Sequence, residues 1–240
     1  MQCILMDVEG TTTSISFVHD VLFPYSKDNL INFLESEFNN KENQVIQDAL
    51  KEIAKVGLEE KLYTGTFNQE IALRVLLHLI NHNKKVSGLK TIQGYQWEKA
   101  YLAKKVIGHV YPDVPECLNE WKEQKIKLGI YSSGSVHAQK LLFSHTKYGN
   151  IQELFDFNFD TAVGAKKEKN SYENILKQIG IPANEVLFLS DVPAELEAAK
   201  ECGIKVLQVT RTGTAHDSRF IAIRDFTEVE EALQNFQVEN

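Results

Sequence analysis

Met1-Gln-Cys-Ile-Leu-Met-Asp7-Val-Glu9-Gly10-Thr11-Thr12-Thr13 opens the chain, and the reading of this stretch decides the fold. The apolar run 3–6 predicts a strand buried on both faces. Such strands belong to parallel sheets, whose C-terminal strand ends form the rim where α/β proteins bind ligands. The run stops at two carboxylates, Asp7 and Glu9. Two acids at one strand end repel each other unless a cation or a shared proton relieves them. Gly10 permits a sharp turn, and the threonine hydroxyls and turn amides can face an anion. Together these features predict attack on a phosphate, with one carboxylate as nucleophile and the other as proton carrier.

The rest of the chain supplies the sheet that this strand needs. From residue 112 onward, strand and helix patterns alternate. Helices are expected over 114–124, 136–143, 172–179, 193–202 and 226–236, and strands over 126–131, 155–159, 186–189 and 205–209. That alternation implies a parallel sheet with helices on both faces. Residues 15–110 differ: helical periodicity recurs over 27–38, 42–56, 68–81 and 94–107, with no convincing strand. The expected architecture is therefore a Rossmann-like α/β core of residues 1–13 plus 112–240. An all-helical cap of residues 14–111 is inserted after the first strand, long enough to form a lid.

Composition narrows the partners. A chain of 240 residues, 43% hydrophobic and 25% charged, can build a globular core. Its net charge of −7 gives no overall pull toward nucleic acid or an anionic membrane. No apolar run approaches a membrane span. Cys3, Cys117 and Cys202 are scattered and odd in number, which favours a reducing compartment over a disulfide framework. Acidic residues at 7 and 9 predict no signal peptide. The expected setting is cytoplasmic, or nuclear as well in a eukaryote, with a monomer as the working form.

Three further strand ends carry polar residues. Ser132 follows the strand 126–131 and can hold phosphate oxygens, although Ser-Ser-Gly-Ser is also an ordinary turn. Lys166 in Gly-Ala-Lys-Lys-Glu would neutralise a phosphate and Asp7 if it were fixed, although Lys-rich loops are usually solvated. Asp191 ends the strand 186–189, with Glu195 four residues on, and can complete a carboxylate site for Mg²⁺ or simply cap the next helix. Weaker features are read as structural. His78 and His82 lack a third ligand. Phe17, Leu22 and Phe23 are expected in the core, and Arg211 is expected in a loop with its side chain solvated.

The order of these four strand ends resembles the haloacid dehalogenase-like phosphotransferases. A narrower resemblance rests on Glu9, which stands where that superfamily usually has Asp. The stretches 7–25, 131–143, 159–172 and 93–97 are similar to signatures of the enolase-phosphatases of methionine salvage, and together they span nearly the whole chain. The resemblance implies Asp7 as nucleophile and Glu9 as acid/base. It implies one Mg²⁺ per subunit on Asp7, Glu9 and Asp191, with Ser132, Ser133 and Lys166 on the substrate phosphate. The implied substrate is a phosphorylated diketone, 2,3-diketo-5-methylthiopentyl 1-phosphate, enolised and then dephosphorylated to an acireductone. The rival readings are a phosphatase or phosphomutase for another small phosphate monoester, and a phosphate-sensing module without turnover.

Overall fold

In the computed structural model, which describes residues 1–238, the opening apolar run forms β1 (Cys3–Met6), buried along its whole length. It is flanked by β2 (Lys127–Tyr131) and β4 (Val186–Ser190), both parallel to it. The strands β3 (Phe157–Phe159), β5 (Lys205–Val209) and β6 (Ala222–Ile223) complete a sheet whose order among the described residues is β3-β2-β1-β4-β5-β6. In that order the connections turn outward in opposite directions on either side of β1 and β4. The crevice beyond their carboxyl ends is the natural ligand site of an open α/β sheet. Register places Met6 beside both Ile130 and Leu189, so Asp7 emerges there, its amide bonded to the Leu189 carbonyl at 2.9 Å.

The chain divides into two compact units, Met1–Phe17 with Ile107–Asn240, and Val18–Val106. In the first unit Cys3, Leu5, Val186 and Phe188 point to one face of the sheet. There they pack with Tyr131, Tyr172, Ile175 and Leu196 from neighbouring elements. The helices of this unit are α6 (Asp113–Glu123), α7 (Val136–Ser144), α8 (Lys169–Ile179), α9 (Pro193–Lys200) and α10 (Val229–Val238). Their ends carry the expected signals. Ser135 caps α7 by accepting from the Ala138 amide at 3.2 Å, Gly180 ends α8 at φ 68°, and Pro193 opens α9.

The second unit is helical: α1 (Phe23–Asp28), α2 (Leu30–Glu37), α3 (Gln44–Glu59), α4 (Gln69–Asn81) and α5 (Ser87–Leu102). Its own core gathers Leu30, Phe33, Leu34, Ile46, Ile53, Val75, Leu79 and Ile92. Asn43 and Asn68 cap α3 and α4 by accepting from the amides of Ile46 and Ile71. Ile53 is fully buried, so Ile53→Ala is expected to cost about 2–5 kcal/mol in urea unfolding. A loss well below that would mean the helices close over the gap.

Several elements depart from the sequence reading. The helix expected over 27–38 is two helices that meet at Asn29, whose amide group turns back to the Tyr25 carbonyl at 2.8 Å. The helix expected over 94–107 starts earlier, because Gly88 lies inside it. A Cβ there would sit 2.7 Å from the Ala49 carbonyl oxygen, so α5 approaches α3 backbone to backbone. It ends earlier because Lys104 turns left-handed at φ 55°. The strand expected from 155 begins at Phe157, after Asp156 has accepted the Leu128 amide and paired with Lys122 and Lys127. The last helix, expected over 226–236, starts as a 3₁₀ turn fixed by Asp225 and becomes α10 only at Val229. Phe17 and Leu22 are buried, and Phe23 is half-buried against Trp97.

Candidate active site

Asp7 after β1, Asp191 after β4 and Lys166 in the loop after β3 come together at the crevice. Asp7 is 4% exposed and its carboxylate is paired with Lys166. The following residues fold back at once. The Thr12 hydroxyl donates to the carbonyls of Asp7 and Val8, both at 3.2 Å, and the Gly10 amide donates to Thr13 O at 2.7 Å. Gly10 sits at φ 84°, and a Cβ on it would lie 2.7 Å from Asp191 Cγ. Glycine is therefore required twice over, by conformation and by the carboxylate pressed against it. Glu9 is half-buried in the same turn.

Lys166 is 6% exposed and lies between two acids, Asp7 and Glu195, with Glu195 Oε2 at 2.6 Å. Burial alone would push its ammonium toward neutrality. The charges of Asp7 and Glu195 outweigh it and hold the lysine protonated above its ordinary range. Its loop is tied down by two tyrosines: Tyr131 OH donates to Gly164 O at 2.9 Å and Tyr172 OH to Lys166 O at 2.8 Å. Of the two readings of Lys166, a fixed ammonium and a solvated loop, the structure has the first, with Asp7 and Glu195 as its two carboxylate partners. Glu195 also accepts from the Ser190 hydroxyl at 3.0 Å, and burial together with the Asp7 charge raises its carboxyl to about 7.

Ser132 is buried, with its amide on Phe159 O at 3.1 Å and its Oγ accepting from the Gly134 amide at 3.0 Å. Ser133 is exposed on the same turn. Gln139, not singled out in the sequence, is buried beneath the turn and donates to Gly134 O at 3.0 Å and Phe159 O at 2.8 Å. Asp160 accepts the Val136 amide at 3.0 Å. A Gln one turn into a helix that follows a Ser-rich strand end was the available signal.

Asp191 receives the Thr11 side chain: its backbone amide donates to Thr11 Oγ1 at 3.1 Å. Its Oδ1 is buried without a hydrogen-bond partner among the described residues. Burial, then the charge of Asp7, with Glu9 adding, raises this carboxyl to about 6. No three His, Cys, Asp or Glu side chains among the described residues converge as a ready metal cage, and the Asp7 carboxylate is held by Lys166 instead. The donor chemistry nevertheless fits a hard divalent cation. The acids at this rim offer oxygen only, they repel one another, and Asp191 Oδ1 lacks the partner that a cation would provide. His78 and His82 belong to the helical unit, at the end of α4. Their rings stack at 4.0 Å, and Glu60, 3.4 Å from His78, is shared with Lys84.

Arg211 departs most from expectation. It is 7% exposed, not solvated, and grips Asp113 and the Thr11 carbonyl. The strand end that carries it faces the half-buried Asp113 carboxylate and the carbonyl of the buried Thr11, so the guanidinium finds more partners inside than in water.

A buried Asp–Lys pair beside a second strand-end carboxylate can attack and stabilise a phosphoryl group. Comparison with known proteins agrees with this chemistry. A family model described as haloacid dehalogenase-like hydrolase matches residues 1–203. Enolase-phosphatase E1 of Marinobacter nauticus is 43% identical over 235 residues, covering 98% of this chain and 99% of that protein. Its counterpart in a Picosynechococcus strain is 44% identical over 227 residues, covering 94% and 96%. The crystal structure of the UTR4 protein of Saccharomyces cerevisiae superposes with a TM-score of 0.77 at 31% identity, covering 94% of this chain and 98% of that one. No helix of the described residues is long and apolar enough to cross a membrane.

Proposed function

The chain belongs to the enolase-phosphatase family of haloacid dehalogenase-like hydrolases, and from that membership we propose that it enolises 2,3-diketo-5-methylthiopentyl 1-phosphate and dephosphorylates the enol to the acireductone of methionine salvage. The observation that carries the proposal is the buried Asp7–Lys166 pair at the end of β1, beside Asp191 at the end of β4.

In this reading an Asp7 oxygen attacks phosphorus. The bond from phosphorus to the substrate oxygen breaks as the aspartyl phosphate forms, and Glu9 gives its proton to the departing oxygen. Water then attacks the aspartyl phosphate and returns a proton to Glu9, and phosphate leaves. Lys166 neutralises charge on the phosphoryl oxygens and pairs with the Asp7 carboxylate. The hydroxyls of Ser132 and Ser133 and the Ser133 amide supply donors to the phosphate, on a turn that Gln139 holds in place. Asp7, Glu9 and Asp191 would hold Mg²⁺, which stabilises negative charge on enolate and phosphoryl oxygens alike. The rival phosphatase of another small monoester, or a phosphomutase, is not favoured. The relatives matched over almost the whole chain are named for the enolase-phosphatase activity.

The diketo phosphate supplied with Mg²⁺, with enol absorbance and free phosphate followed together, tests the proposal. Enol absorbance is expected to precede or accompany phosphate. Phosphate release with no enol product overturns the enolase half, and no release from this substrate overturns the whole. Glu9→Gln is expected to slow phosphate release by about 10²–10⁴-fold, the usual contribution of a positioned acid/base. An unchanged rate removes Glu9 from proton transfer.

A further inference from the structure

Arg211 makes more bonds than an ion pair requires. Its Nη1 and Nη2 fork onto Asp113 Oδ1 and Oδ2 at 2.9 and 2.8 Å. Its Nε and Nη2 also converge on a single backbone oxygen, Thr11 O, at 3.1 and 3.0 Å. The guanidinium also lies against two rings, with its Cζ 4.1 Å from the Tyr111 centroid and 5.2 Å from that of Phe226. A fork on Asp113 alone would neutralise the charge. The second grip, charge-assisted and rigid, fixes the residue that follows Gly10.

Thr11 passes that constraint on. It is fully buried, and its Oγ1 accepts the Asp191 amide at 3.1 Å. Asp191 in turn lies with its carboxylate against the bare Cα of Gly10, and its Oδ1 is left without a partner. The ends of β5, β1 and β4 are therefore linked in series, from guanidinium to carbonyl and from hydroxyl to amide.

We propose that Arg211 is a positioning residue for the cation site: through Thr11 it sets the place of the Asp191 carboxylate and so the affinity for the divalent cation. The inference rests on the reading above that Asp191 helps to hold Mg²⁺. It assigns Arg211 no contact with substrate.

The test measures Mg²⁺ binding to the full chain without substrate, by titration calorimetry with MgCl₂ and by the rise in thermal midpoint. Arg211→Lys keeps the charge but cannot fork onto both partners. Thr11→Val keeps the carbonyl and removes the hydroxyl link. Each is expected to weaken Mg²⁺ about 10-fold or more, as loss of an outer-shell partner does. Because the two act in series, the double variant should lose little beyond either single one. Phe143→Leu, a buried change on α7, is the control for general loosening: a lower metal-free midpoint with unchanged Mg²⁺ affinity. Should Arg211→Lys fail to fold, Tyr111→Leu removes one retaining ring and is expected to weaken Mg²⁺ several-fold.

Mg²⁺ affinity within twofold of wild type in the Arg211 or Tyr111 variant overturns the inference, as do losses that multiply in the double variant. An equal loss in Phe143→Leu overturns it too. A wild-type chain that releases phosphate from the diketo substrate yet binds no Mg²⁺ overturns the metal reading beneath it, and these outcomes are distinct.

Discussion

Asp7→Asn stops phosphate release. Asparagine keeps the shape of the side chain but its amide cannot attack phosphorus, so no aspartyl phosphate forms and the residual rate is that of binding without a nucleophile. The loss should be the largest of any single substitution in the chain. It should come without collapse of the fold. Removing the Asp7 charge relieves Asp191 and Glu195, both of which it raises. Lys166 keeps a carboxylate partner in Glu195 at 2.6 Å. The thermal midpoint is therefore expected to stay within a few degrees of wild type while phosphate release, followed by a colorimetric assay, falls to background. Release at the normal rate would remove Asp7 from the mechanism, and loss of the folded state would show that Lys166 needs both acids.

Chelation is expected to abolish turnover, and Mg²⁺ to restore it. The reason is electrostatic. Asp191 ionises only at about 6, against an ordinary carboxylate value of 3.8, because it is buried near Asp7. Its charged form therefore costs the metal-free fold stability. That cost is fully present above pH 6 and disappears as pH falls through 6 toward 3.8. A cation bound there reverses the cost, so Mg²⁺ should stabilise most above pH 6 and progressively less as protons take the same oxygen. With Mg²⁺ at about 100 times its dissociation constant, the gain is about 2.7 kcal/mol, or roughly 5–10 °C in a chain of this size. Scanning fluorimetry at pH 7.5 and pH 5, with EDTA or MgCl₂, reads it. Full turnover after exhaustive chelation, or a midpoint shift larger at pH 5, would sink the cation assignment.

Much of this site could be read from residue types at strand ends. A buried run followed at once by a polar residue is informative because the end of a parallel strand opens on the ligand crevice, and Asp7, Ser132 and Asp191 all stand there. The same rule applied to β5 would have singled out Arg211, which follows Thr210 after an apolar run. The sequence leaves its side chain in solvent because its partners are non-local: Asp113 and the carbonyl of Thr11 come together only when the sheet is built. Glu195 was visible as an acid one turn beyond Asp191. Its pairing with Lys166 depends on how α9 leaves β4, which periodicity does not encode. The helix boundaries missed near Asn29 and Gly88 share one cause, since a side chain turned onto a carbonyl and a close helix crossing are both three-dimensional facts. The strand β6, two residues long, leaves no periodic trace at all.

The central place of β1 has a consequence for biosynthesis. Of the described strands of the sheet, β1 is made first, yet its neighbours β2 and β4 begin only at Lys127 and Val186. Until they emerge, Cys3–Met6 has no edge to pair with, and closing so long a loop is an entropic cost that short-range contacts do not bear. Val18–Val106, with a core of its own, depends on no residue after it for that core. Assembly of the nascent chain is thus expected to run out of sequence order, helices before sheet. Asp7 meets Lys166 and Asp191 only after β4 has emerged. A chain released before β4 would carry Asp7 without Asp191 beside it.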